Sequence, residues 1–131
     1  MTSVIVIDDY DDAAEVLCEY LEMNDIKVLA RGNNGKEAVE LYKKYKPDLV
    51  LMDLVMPKFD GYHGLQKIRE FDPKAKIIII TGSLSQHTEK ILKGLQASAT
   101  IVKPYETNHV IDTIKKVKNG YLMYSSDNLT L

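Results

Sequence analysis

The chain has 131 residues, 45% of them hydrophobic and 27% charged, which fits one globular domain whose core needs neither disulfides nor a structural metal. A formal charge of −2 argues against a nucleic-acid or anionic-membrane surface, and the single cysteine, Cys18, cannot form an internal disulfide, as suits a reducing compartment. No basic leader precedes a long apolar run and no stretch reaches bilayer-spanning length, so a cytoplasmic domain without membrane insertion is expected.

The first element is "VIVI" at 4–7, four β-branched residues that run straight into "DDYDD". A helical stretch follows, with Val16, Leu17, Tyr20 and Leu21 on one face, Cys18 inside it, and Asp11 and Asp12 placed to cap its start. "IKVLA" at 26–30 is a weaker strand, and "RGNNG" at 31–35 turns the chain into a second helix bearing Ala38, Tyr42 and Tyr45. After "KPD" come "LVLM" at 49–52, the turn "FDG" at 59–61, and a third helix from about Tyr62 to Phe71 with Leu65 and Ile68. "FDP" leads to "IIII" at 77–80, a fourth helix with Ile91, Leu92 and Leu95, then "ATIV" at 99–102. A last helix carries Val110, Ile111, Ile114 and Val117. Gly64 and Gly94 each weaken their helix by about 1 kcal/mol relative to alanine.

None of the apolar runs alternates with polar residues, so each is read as buried on both faces, as in a parallel sheet covered by helices. Five strands alternating with five helices specify an α/β, doubly wound, five-stranded parallel sheet. The domain is expected over 1–118, with a tail at 119–131. Tyr121, Leu122 and Tyr124 of that tail either pack back on the last helix, serve a partner surface, or begin a linker.

Ligand sites in such sheets lie at the carboxyl ends of the strands. There the chain places Asp8 and Asp9, then Asp53, then Thr81, Gly82 and Ser83, then Lys103 before Pro104. In the order 2-1-3-4-5, Asp53 faces the Asp8–Asp9 pair across one strand spacing of about 4.8 Å and Thr81 across the other. Lys103 starts roughly 10 Å away and can reach back along its stem. Carboxylates about 5 Å apart repel by roughly 3 kcal/mol per pair at an effective dielectric of 20. A divalent cation removes that conflict, and an all-oxygen donor set suits Mg²⁺. A carboxylate beside a cation, a lysine and a hydroxyl can also act as a phosphoryl acceptor. Asp53 is the expected acceptor, with Thr81 and Lys103 neutralising and hydrogen-bonding the transferred oxygens.

The pieces "IDDYDD", "DLVLMDLVMPKFDG", "IIIITG" and "IVKPY" together resemble a CheY-type response-regulator receiver domain over about 3–118. The resemblance implies the flavodoxin-like strand order 2-1-3-4-5 with five flanking helices. It implies that Asp8, Asp9, Asp53 and the backbone carbonyl of Val55 hold Mg²⁺ (or Mn²⁺), that Asp53 is the phosphoacceptor, and that Thr81 is the switch hydroxyl. It implies further that Lys103 contacts the phosphoryl group and that its bond to Pro104 is cis. The chain departs from the pattern at Thr100, where many members carry an aromatic switch residue, while Tyr105 occupies a packing slot. Val55 is apolar where fast-hydrolysing members are polar, so a long-lived phosphoryl group is expected.

The expected function is therefore a single-domain switch, phosphorylated by a sensor histidine kinase or phosphotransfer protein and altering its affinity for a downstream protein target. It would accept a phosphoryl group and promote its own dephosphorylation rather than act as an enzyme. A phosphorylation-dependent dimer is compatible with this, and direct nucleic-acid binding is not expected. Three alternatives compete. A receiver cut from a longer regulator would read identically. A Mg²⁺-dependent phosphohydrolase would need a general acid and a substrate pocket that the chain does not display. A flavodoxin-type module would want a Ser, Thr and Gly-rich loop after the first strand, where aspartates stand. His63, His87 and His109 lie on helical stretches away from the strand ends and are read as surface residues.

Overall fold

A computed structural model describes residues 1–124. Strands and helices alternate: β1 (Thr2–Ile7), α1 (Asp11–Met23), β2 (Ile26–Gly32), α2 (Gly35–Tyr45), β3 (Leu49–Asp53), α3 (Gly61–Phe71), β4 (Ile77–Thr81), α4 (Gln86–Gly94), β5 (Ala99–Val102) and α5 (Thr107–Lys118). All strand pairs are parallel, in the order β2-β1-β3-β4-β5.

The continuous apolar runs have a direct explanation in the register. Val6, Leu51, Ile78 and Ala99 stand in one row across the sheet. They, with Val4 and Leu49 two residues before and Ile80 and Ile101 two residues after, face a core shared with α1 and α5. The intervening Ile5, Ile7, Val50, Met52, Ile77 and Ile79 face a second core with α2, α3 and α4. Every position of the runs 4–7, 49–52 and 77–80 is thus buried, so alternation would leave a polar group without water. Each such isoleucine contributes about 1.5–3 kcal/mol of burial.

Helix starts are set locally. Asn34 caps α2 by accepting from the Glu37 amide, while Glu37 accepts from the Asn33 amide in return. Asp60 caps α3 and Ser85 caps α4 in the same way, each through the amide three residues on. At α1 the expectation fails. The cap position is Tyr10, which makes no side-chain cap, and Asp11 and Asp12 sit in the first turn, where they complement the helix dipole.

Three further readings change. Val16 is 66% exposed, and Ala14, Leu17 and Leu21 form the buried face of α1 instead. Tyr45 and Ile91 also lie at the rim, each 38% exposed. Gly64 is a packing requirement rather than a weakness: a Cβ there would lie 2.6 Å from Met52 Sδ and 3.2 Å from the Gly35 Cα. Gly94, by contrast, has open space around it.

The chain after α5 turns at Gly120, whose φ is +96°, and runs beside β5 rather than along α5. Met123 pairs with Ala99 in parallel, and the Tyr124 hydroxyl donates to the Ala97 carbonyl at 2.6 Å. Tyr121 and Leu122 remain exposed. Positions 125–131 of the expected tail lie outside the described residues.

Candidate functional site at the carboxyl end of the sheet

β1 and β3 are neighbours, so their last residues deliver three carboxylates to one place. Asp8 and Asp9 follow Ile7, and Asp53 closes β3; one oxygen of each lies within 4.8 Å of the others. Asp8 is fixed by its own amide, which donates to the Gly32 carbonyl at 3.0 Å. Asp9 is exposed, whereas Asp8 and Asp53 are partly buried.

Each buried carboxylate divides its two oxygens between backbone and cation. Asp53 Oδ1 accepts from the Leu54 amide at 2.8 Å, and Asp8 Oδ1 accepts from the Tyr10 amide at 2.9 Å. Their Oδ2 atoms turn towards Lys103, whose Nζ is 3.1 Å from Asp53 and 3.8 Å from Asp8. Lys103 is held in register by its amide, which donates to the Thr81 carbonyl at 2.8 Å, and its bond to Pro104 is cis.

Three carboxylates against one ammonium leave two negative charges, the charge of one divalent cation. Burial, reinforced by the charges of Asp53 and Asp9, raises the Asp8 carboxyl above its ordinary range; the Tyr10 amide and Lys103 oppose this without cancelling it. Hard oxygen donors at this spacing fit an ion such as Mg²⁺, which shares its shell between carboxylates and water. Asp8, Asp9 and Asp53 form the candidate cluster of metal-binding side chains among the described residues.

The loop after β3 is shaped around the same point. The Gly61 amide donates to the Leu54 carbonyl at 2.8 Å, and a Cβ on Gly61 would meet the Asp53 carbonyl at 2.5 Å. Only glycine lets α3 begin directly beneath Asp53. Val55, two residues beyond Asp53 in this loop, is 73% exposed. A cavity of about 380 Å³ opens on the α1 side, lined by Asp8, Tyr10, Asp53, Lys103 and Tyr105 among others.

Thr81 is buried at the end of β4, and its hydroxyl makes two long contacts with Ser83: 3.3 Å to the carbonyl and 3.4 Å from the amide. The bonding partner of this hydroxyl is its own loop. Tyr105 is half-buried against the α1/α5 core, and burial raises its phenol. Cys18 is half-buried against that core too. Thr100 is 2% exposed, with its hydroxyl on Glu89 Oε2 at 3.0 Å. His87 and His109 are exposed, while His63 is partly covered and packs on the Phe59 ring at 4.9 Å.

Sequence reasoning missed Glu89, which is 3% exposed on α4. The signal was present: Glu89 precedes the buried Leu92 by three residues, so it shares the apolar face of the helix.

Residues 4–115 match the response regulator receiver domain family. The chemotaxis protein CheY of Halobacterium salinarum is 42% identical over 116 residues, covering 87% of this chain and 94% of that protein. CheY of Bacillus subtilis is 35% identical over 118 residues, covering 88% and 97%. Among solved structures, a LuxR-family two-component response regulator from Aurantimonas superposes with a TM-score of 0.91 at 26% identity, covering 97% of this chain and 92% of that one. The CheX–CheY–BeF3–Mg complex of Borrelia burgdorferi superposes with a TM-score of 0.85 at 29% identity, covering 88% of each chain. No helix among the described residues is long and apolar enough to cross a membrane. The chain is a member of the response regulator receiver domain family, similar in sequence and fold to CheY.

Proposed function

We propose that this receiver works as a chemotaxis-type or relay switch, with Asp53 as its phosphoryl acceptor. The observation that carries the reading is the convergence of three carboxylates on one lysine at the end of the sheet. An Asp53 oxygen attacks the phosphorus of a phosphohistidine on a sensor kinase or phosphotransfer protein. The P–O bond forms as the P–N bond breaks, and the electron pair returns to the imidazole nitrogen. Asp8, Asp9, Asp53 and the Val55 carbonyl would hold Mg²⁺ (or Mn²⁺), which supplies charge neutralisation of the phosphoryl oxygens. Lys103 leaves its contact with the carboxylate to pair with a phosphoryl oxygen, and Thr81 turns its hydroxyl to the same group.

Phosphorylation changes the face formed by α4, β5 and α5, and with it the affinity for a cytoplasmic target protein. The relative seen with CheX makes a chemotaxis protein the kind of target to test first. Dimerisation in the phosphorylated state is compatible with the same face. The domain also promotes slow loss of its own phosphoryl group. Intact-mass measurement after incubation with acetyl phosphate, with and without Mg²⁺, tests the core of this reading. One phosphoryl group added to the wild type only with Mg²⁺, and none to Asp53→Asn, is the expected result. Incorporation by Asp53→Asn equal to wild type overturns it.

A further inference from the structure

Thr100 is tied in two directions at once. Its side chain donates to Glu89 Oε2 on α4 at 3.0 Å, and its amide donates to the Met123 carbonyl at 2.9 Å. The Met123 amide in turn donates to the Ser98 carbonyl at 3.0 Å, so the segment after α5 is seated as a short parallel strand on the free edge of β5. Helix α4 grips the same segment from the other side. Lys93 pairs with Glu89 at 3.8 Å and stands 4.9 Å over the Tyr124 ring, whose hydroxyl bonds to the Ala97 carbonyl. Glu89, Thr100, Lys93, Met123 and Tyr124 thus form one contiguous set joining α4, β5 and the segment.

One strand, β4, lies between this set and the acceptor. Asp53 pairs with Ile80, the residue before Thr81, and Ile79 pairs with Thr100. The Thr81 hydroxyl holds the β4–α4 loop only through two long bonds to Ser83, two residues before the α4 cap at Ser85. A phosphoryl oxygen on Asp53 is a stronger acceptor than the Ser83 carbonyl. Turning the hydroxyl to it frees Ser83, and with it the start of α4.

We propose that the β5 edge is the docking surface for this chain's own segment Tyr121–Tyr124, and that the Glu89–Thr100 pair couples this docking to Asp53, so that phosphorylation releases the segment. The proposal rests on Asp53 being the acceptor. A hydrogen-bonded acid and hydroxyl then perform the coupling at the position where an aromatic ring is usual. The released edge exposes backbone N–H and C=O groups that a partner's extended strand can pair with.

Amide hydrogen exchange on the full chain tests it, before and after acetyl phosphate with Mg²⁺, with the phosphoryl level read by intact mass on the same sample. Exchange at Thr100 and Met123 is expected to rise at least roughly tenfold on phosphorylation. Thr100→Val keeps the amide bond to Met123 but loses the hydroxyl, so it is expected to take up phosphate without that rise. Glu89→Gln keeps an acceptor for the hydroxyl and responds as wild type. Tyr124→Phe exchanges fast in both states. Full phosphorylation with unchanged protection overturns this proposal alone, and so does a Thr100→Val response equal to wild type. No uptake of phosphate by Asp53 overturns the acceptor reading and this one with it.

Discussion

Lys103 Nζ lies 3.1 Å from Asp53 Oδ2, joining residues that are 50 positions apart and whose strands are separated by β4. The lysine also reaches Asp8 at 3.8 Å, so one cation holds two carboxylates together while its stem bridges the end of β4. The pair is partly open to solvent, which limits its value to about 1 kcal/mol.

Lys103→Met is therefore expected to lower unfolding stability by about 1 kcal/mol in metal-free buffer, read by urea denaturation. The same change should slow phosphoryl uptake at least about tenfold, because a charge on the transferred oxygens is lost. Equal uptake rates for the two proteins would remove Lys103 from the reaction.

Asp8 sets the pH dependence. Its carboxyl is raised in the folded state, chiefly by burial, so between its unfolded and folded values the folded chain binds more protons. Stability then falls as pH rises through that window, and the cost persists at neutral pH. Asp8→Asn is expected to melt about 3 °C higher than wild type without metal at pH 7, with the gap closing in acid. Added Mg²⁺ should raise the wild-type melting temperature and leave the variant nearly unchanged. A variant that melts lower without metal would contradict the assignment.

Val55, two residues beyond Asp53, is apolar and exposed. A side chain there that can hydrogen-bond attacking water is expected to speed phosphoryl loss, so Val55→Asn should shorten the lifetime of the phosphorylated protein by about threefold or more. Decay of the phosphorylated intact mass measures it. An unchanged lifetime would show that Val55 does not govern water access.

The two helical glycines should respond in opposite directions. Gly64→Ala puts a methyl group 2.6 Å from Met52 Sδ and is expected to cost about 1–3 kcal/mol. Gly94→Ala meets nothing within 4 Å and is expected to gain about 0.5 kcal/mol from helix propensity. Denaturant midpoints of the two variants test the contrast.

Much of the fold was legible because its signals are local. The runs at 4–7, 49–52, 77–80 and 99–102 fall within the observed strands, since a strand buried on both faces leaves no polar alternation. Helix faces were legible to within about a residue. The spacing puts Val16 on one face with Leu17, Tyr20 and Leu21, yet one step along a helix turns a side chain by roughly 100°, enough to move Val16 to solvent.

The carboxylate cluster was also visible in advance, because strand ends in a parallel sheet lie together once the order is known. The order itself came from resemblance, as strand periodicity carries no information about neighbours. The sequence reading does not single out Glu89, and for the segment after α5 it leaves packing on the last helix, a partner surface and a linker open. Their partners, Thr100 and the β5 edge, belong to other elements.

Sequence by itself determined which apolar runs form the buried strands and which acids and lysine end them, because burial and turn chemistry act over a few residues. Tertiary structure alone decided that Lys103 reaches Asp53, that Thr81 bonds to its own loop, and that Glu89 and Met123 share Thr100. Those relations depend on distances between elements, which follow only once the sheet has brought remote residues within hydrogen-bonding reach.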